Sequence, residues 1–284
     1  MFGLLTPAKA HKLVVFGDSV TAPRAKVKVY AEVLSEELLF EEKAIEVINA
    51  GVPGNTTAQA LKRLESDVLQ KRPDTAVILF GINDAAVDVW KNPPATQPRT
   101  SLEAYRANLK NCVVSLKIAG ARVVLMTPNP LYWSDTTRKL YGKPPYAPED
   151  PDGFNVLLRE YAAAVREVAR EESVAVVDVF EVFKNQPAIK DGNASRLIPD
   201  GMHPNSEGHG VIAEALIRSL CALDSRYTRA ANAQRHAASQ FKAANQFPEK
   251  LASFTRILPF TSSISVRLRE RLWVSTNKPA SLSG

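Results

Sequence analysis

The sequence predicts an α/β domain, a three-layer α/β/α sandwich around a five-stranded parallel sheet, and three observations carry that prediction. Five short runs rich in Val, Ile, Leu and Ala are apolar almost throughout rather than alternating, as expected of strands buried on both faces. Segments of helical period separate them, the pattern of βαβ units. Gly, Asn and Ser stand where several of these runs end, at the carboxyl edge where open parallel sheets bind their ligands.

Leu13–Phe16 is the first strand, and it stops at Gly17-Asp18-Ser19-Val20-Thr21. Val27–Phe40 places Val29, Val33, Leu34, Leu38 and Leu39 at helical spacing. Ala44–Asn49 is the second strand and runs into the loop Ala50–Thr57, rich in Gly, Pro and Asn. Thr56 or Thr57 caps a helix that carries Leu61, Leu64, Val68 and Leu69 and is closed by Pro73. Thr75–Phe80 is the third strand, ending in Gly81-Ile82-Asn83-Asp84. Asp88–Thr100 is a long loop, and Ser101–Ala119 a helix with Gly120 just beyond it. Arg122–Thr127 is the fourth strand, and residues 128–153 form a second long loop with several prolines and tyrosines. Phe154–Glu172 is helical, Ser173–Val179 is the fifth strand, and a helix from Asn205 to Leu220 follows a loop containing Asp200-Gly201-Met202-His203-Pro204.

The domain so defined covers residues 8–222. Residues 223–284 differ in character and are expected to be a poorly ordered basic extension. The net charge of +6 lies wholly in that tail: residues 1–221 carry 26 Lys+Arg and 27 Asp+Glu, residues 222–284 carry 10 and 3. The main domain therefore offers no basic surface for nucleic acid, whereas the tail suits an anionic surface or a protein partner. No apolar run reaches the ~18 residues of a membrane span. The start of the chain lacks a basic segment and a long apolar core, so the expected compartment is the cytoplasm. Cys112 and Cys221 both lie in helical patterns and read as free thiols. No cluster has metal-ligand spacing, and no cofactor or metal is expected.

Ser19, Gly51 and Asn83 follow the first three strands, and Asp200 and His203 sit in the loop that opens the last helix. A serine hydroxyl is a poor nucleophile until a base takes its proton. His203 is the candidate base, because His11 precedes the first strand, His209 lies inside the last helix and His236 lies in the tail. Asp200, three residues earlier, reaches the ring Nδ1–H through one tight turn and leaves Nε2 for Ser19. The Ser19 and Gly51 backbone N–H groups and the Asn83 amide are candidate donors to an oxyanion. A glycine at 51 permits close backbone approach.

Four blocks carry a resemblance: Gly17-Asp18-Ser19-Val20, Asn49-Ala50-Gly51-Val52-Pro53-Gly54-Asn55-Thr56, Gly81-Ile82-Asn83-Asp84 and Asp200-Gly201-Met202-His203-Pro204. In this order they resemble the SGNH hydrolases, the Gly-Asp-Ser-Leu esterases and lipases. The resemblance implies a flavodoxin-like strand order 2-1-3-4-5. It implies Ser19 as nucleophile and oxyanion donor, Gly51 and Asn83 as the other donors, His203 as base and Asp200 as its partner. Val20 replaces the family's leucine with another apolar residue. No Gly-x-Ser-x-Gly elbow is present, against an α/β-hydrolase fold.

The function expected is hydrolysis of carboxylic esters, short-chain acyl or acetyl, through an acyl-enzyme on Ser19. A thioesterase, lysophospholipase or carbohydrate deacetylase would use the same residues, and a binding module would retain them without turnover. Trp90, Tyr132 and Trp133, with Tyr141 and Tyr146, are expected to wall the site for a small-molecule ester or to anchor their loops.

Overall fold

The computed structural model of the protein describes residues 10–38 and 45–245, with side chains to residue 239. Its sheet has five parallel strands in the order β2-β1-β3-β4-β5: β1 (Lys12–Gly17), β2 (Glu46–Gly51), β3 (Thr75–Leu79), β4 (Arg122–Met126) and β5 (Ala175–Val177). β1 and β3 lie at the centre, which explains their unbroken apolar runs: Leu13, Val14, Val15 and Phe16 are wholly buried, as is every residue of β3. Parallel pairing aligns Gly17 with Gly51 and with Leu79, so three strand ends finish level at one edge.

The helices are α1 (Tyr30–Glu37), α2 (Thr57–Asp67), α3 (Ile82–Ala85), α4 (Leu102–Ile118), α5 (Asp135–Tyr141), α6 (Leu158–Glu171), α7 (Val179–Lys184), α8 (Pro187–Lys190), α9 (Ser206–Leu223) and α10 (Ser225–Asn245). Stepping from β1 out to β2 and then back across to β3 reverses the direction of winding, and right-handed crossovers then put α1 on one face and the helices that follow β2, β3 and β4 on the other. α1 accordingly packs with α9, while α2, α4 and α6 pack in series on the other face.

Several elements differ from their expected bounds for local reasons. α1 starts three residues late, because Lys26 takes a left-handed φ of 63° and Glu32 accepts from the Val29 N–H at 3.1 Å. β2 lies two residues later than expected and includes Gly51. β5 keeps only three residues, because Ser173 has φ 52° and Asp178 already caps α7. The 128–153 loop contains α5, opened by Ser134 accepting from Thr137 N at 3.2 Å. α9 is capped by Asn205, which accepts from Gly208 N at 3.0 Å.

The expected extension at 223–284 falls largely on residues 246–284, outside the described residues, and its described part is α10. Tyr227 of α10 is wholly buried, and its hydroxyl lies 2.9 Å from His11 Nε2. One compact unit spans Met1–Ala237 and a second Ala238–Gly284, of which only the end of α10 is described. Among the described residues Cys112 and Cys221 are free, and no helix is long and apolar enough to cross a membrane.

Candidate active site

The level ends of β1, β2 and β3 bring the sequence-singled residues to one edge. Gly17 ends β1 where no other residue fits: a Cβ would lie 2.0 Å from Thr21 Oγ1 and 2.7 Å from the Leu79 carbonyl. The chain then turns tightly, with Thr21 N and Ala22 N donating to the Asp18 carbonyl at 3.1 and 2.9 Å. The turn buries Val20 and leaves Ser19 half-buried at the edge.

Ser19 Oγ lies 3.0 Å from His203 Nε2, and His203 Nδ1 lies 2.8 Å from Asp200 Oδ2. A carboxylate accepts only, so Nδ1 carries the proton and Nε2 is left to accept from the Ser19 hydroxyl. Asp200 Oδ1 also accepts from the Met202 and His203 backbone N–H groups, at 2.8 and 2.6 Å. Partial burial pulls the Asp200 carboxyl upward, but the His203 ring and the two N–H groups outweigh it and hold it at about 2. The carboxylate therefore stays charged at any working pH. The turn needs a glycine at its centre: Gly201 has φ 83°, and a Cβ there would meet the Tyr132 carbonyl at 2.3 Å.

The donor side is more crowded than the sequence suggests. Among the described residues the Ser19 N–H has no acceptor. The Gly51 N–H donates to Asn49 Oδ1 at 2.9 Å, while Asn49 Nδ2 donates to the Thr21 carbonyl at 2.7 Å. Glycine at 51 serves this seam between β2 and the Ser19 turn, since a Cβ would lie 2.3 Å from Ala22 N. Asn83 Nδ2 donates to Asp18 Oδ2 at 3.3 Å and to the Asn55 carbonyl at 3.2 Å, both long bonds. Asp18 shapes this turn by accepting from Val20 N at 2.9 Å, and complete burial pushes its carboxyl up to about 7.

Two arginines and an asparagine escaped sequence reasoning. Arg63 of α2 donates to the carbonyls of Gly17 and Ala50 at 2.9 and 2.8 Å and to Asn55 Oδ1 at 2.7 Å, with its guanidinium over Phe16. Arg99 donates to Asn83 Oδ1 at 3.1 Å, and Asn49 is the bridge just described. A helical arginine that meets two strand ends only in three dimensions leaves no local signal. Asn49 stood inside a recognised block without a role.

The aromatics expected to wall the site fall in different environments. Trp90 is 48% exposed on the 86–100 loop. Trp133 is an anchor: it stacks on Phe154 with centroids 4.6 Å apart, and its Nε1 donates to the Asp150 carbonyl at 2.9 Å. Tyr132 acts through its backbone, donating to the Gly201 carbonyl at 2.8 Å and so backing the Asp200–His203 turn. Tyr141 and Tyr146 are buried around Phe154, and with Ile82, Leu131 and Met202 they line a shallow recess. His209 is structural: it stacks on Tyr30 at 6.2 Å, and burial pushes its imidazole down to about 3. Among the described residues no group of three or more His, Cys, Asp or Glu could hold a metal ion.

Residues 15–211 match the GDSL-like lipase/acylhydrolase family. The chain belongs to that family. It is 27% identical to an acetylxylan esterase of Geobacillus stearothermophilus, over 65% of this chain and 76% of that protein. It is 26% identical to an arylesterase of Vibrio mimicus, over 74% and 88% of the two chains. The solved structure of an acetylxylan esterase from Geobacillus stearothermophilus superposes with a TM-score of 0.59 at 26% identity, covering 74% of this chain and 93% of that one. Three further structures of that enzyme are catalytic mutants in which a serine, a histidine and an aspartate are each replaced by alanine. There the aspartate stands three positions before the histidine, the spacing of Asp200 and His203. Family and relatives make this GDSL-like protein a carboxylic ester hydrolase.

Proposed function

We propose that the protein is a serine esterase that releases short acyl groups, acetyl foremost, through an acyl-enzyme on Ser19. The observation that carries this reading is the continuous chain Asp200 Oδ2, His203 Nδ1, His203 Nε2, Ser19 Oγ, with links of 2.8 and 3.0 Å. Ser19 Oγ attacks the ester carbonyl as His203 Nε2 takes its proton, and Asp200 stabilises the imidazolium. The oxyanion meets the Ser19 N–H, with the Asn83 amide, drawn from its long bonds to Asp18 and Asn55, and the Gly51 N–H, shared with Asn49, as the further donors. Each such donor is worth about 2.7–4 kcal/mol in the chemical step. The proton on Nε2 passes to the leaving alkoxide, and the alcohol departs. Water, deprotonated by the same nitrogen, then attacks the acyl-enzyme and frees the acid.

Trp90 favours a carbohydrate as the alcohol half of the ester. It presents an exposed indole on the loop whose Arg99 bonds Asn83, and indole faces stack on sugar rings. The acetylxylan esterase relatives support the same reading.

Hydrolysis of acetyl, butyryl and octanoyl p-nitrophenyl esters tests the proposal. The acetyl ester should turn over fastest, and Ser19→Ala should lower kcat by at least about 10⁴-fold. A fluorophosphonate should label Ser19 at neutral pH; a folded protein that takes no label would instead be a binding module. Trp90→Ala should raise KM for an acetylated xylooligosaccharide and leave p-nitrophenyl acetate unaffected.

A further inference from the structure

Asn83 supplies an amide whose usefulness depends on which way it is turned and how strongly its N–H bonds are polarised. Three groups fix its orientation: Asp18 Oδ2 and the Asn55 carbonyl face Nδ2, and Arg99 Nη1 faces Oδ1 at 3.1 Å. Arg99 is itself held in place. Its Nε and Nη2 grip Asp88 Oδ1 at 3.1 and 2.7 Å, and Nε also reaches Oδ2 at 3.2 Å. The Asp88 side chain is 4% exposed and takes a further bond from Lys91 Nζ at 2.7 Å. The loop base is closed by Arg99 N donating to the Ala86 carbonyl at 3.0 Å and Thr100 N donating to the Asp84 carbonyl at 3.1 Å.

We propose that Arg99, gripped by Asp88, is a positioning residue for the reaction: it locks the Asn83 amide with Nδ2 towards the oxyanion and strengthens its N–H donors. The inference rests on Asn83 serving as an oxyanion donor. A guanidinium at the amide oxygen draws electron density from the nitrogen, so the N–H bonds become better donors when negative charge develops beside them. The arrangement mirrors the base side of the site. There a carboxylate orients an imidazole; here a carboxylate orients a guanidinium that orients an amide. An interaction made in the transition state alone affects kcat and kcat/KM equally.

A double-mutant cycle on p-nitrophenyl acetate hydrolysis tests this, with Arg99→Met, Asn83→Ala and the pair together, each checked for folding by circular dichroism. Arg99→Met should lower kcat about 10- to 100-fold, as expected for loss of a charge-assisted bond, with KM within about twofold. In the Asn83→Ala background the same substitution should cost less than about twofold. Arg99→Lys keeps the charge and loses the fork, and should fall between wild type and Arg99→Met; it also serves if the methionine variant does not fold. Losses that multiply in the double variant overturn the inference while leaving the oxyanion role of Asn83 intact, as does a wild-type kcat in Arg99→Met. An undiminished kcat in Asn83→Ala overturns the oxyanion role itself, and the inference with it.

Discussion

Gly51 is constrained from behind rather than from the substrate side. Its missing Cβ would overlap Ala22 N at 2.3 Å and Thr21 C at 2.6 Å, both backbone atoms that cannot swing aside. Gly51→Ala should therefore destabilise the fold by about 1–3 kcal/mol in urea titration and displace the nucleophile turn, lowering kcat as well. Asp18 makes a second prediction at this scale. Burial raises its folded carboxyl from 3.8 to about 7, so between those values the folded protein holds a proton that the unfolded chain has released. The folded state then binds more protons, and stability falls as pH rises from about 4 to 7. Asp18→Asn should flatten that slope. Asp200 acts in a different window: its folded carboxyl is depressed to about 2, so its contribution is present above about 4 and lost as pH falls below that. The two are separable in one series of thermal melts.

Residue by residue, the sequence disclosed the groups whose chemistry is local. Asp200 and His203 lie three apart and Ser19 ends a strand, so their partnership needs only one turn and one sheet edge. Arg63 and Arg99 were hidden because they act across 8 to 46 residues of sequence, on backbone carbonyls, side-chain amides and a buried carboxylate that no spacing rule connects.

At the scale of elements, apolar runs located all five strands; burial on both faces gives β1, β3 and β4 a continuous signal, whereas the edge strands β2 and β5 are only partly buried. Ends were harder, being decided by single interactions: Glu32 reaching back to Val29 N sets the start of α1, and Asp178 turning to cap α7 ends β5. The short α5 was concealed by the prolines around it, although Ser134 supplies an ordinary cap. α10 offers the element-scale test. Tyr227 is wholly buried, and its hydroxyl bonds His11 just before β1, joining the last described helix to the first strand. Burial and the nearby Arg226 push the His11 imidazole below its ordinary value, so the ring is neutral at physiological pH. Tyr227→Phe keeps the ring and removes the bond, leaving His11 Nε2 only the longer contact to Thr75 Oγ1 at 3.3 Å. Urea unfolding should show a loss of about 1–3 kcal/mol with the esterase rate unchanged at low temperature.

Over the whole molecule, function follows from strand order. With β1 between β2 and β3, Ser19, Gly51 and Asn83 are neighbours at one edge, and α9 returns beside α1 so that His203, just before it, arrives at Ser19. Each bond of this machinery runs between described residues before α10, whereas residues 246–284 carry 6 Lys+Arg and 2 Asp+Glu. A surplus of that kind fits attraction to an anionic surface, which salt screens within a Debye length of about 10 Å at 0.1 M. A chain ending at Asn245 keeps Tyr227 and therefore the anchor of α10. It should hydrolyse p-nitrophenyl acetate within about twofold of the full chain, because the bonds described for Ser19, His203 and Asn83 all run to residues that the shorter chain keeps. It should also lose the low-salt sedimentation with phosphatidylserine vesicles expected of the full chain, a difference that 0.5 M salt abolishes by shortening the Debye length to about 4 Å. Equal vesicle binding by both chains would remove the tail from any role in docking. Loss of turnover in the shorter chain would instead assign residues 246–284 to the catalytic unit.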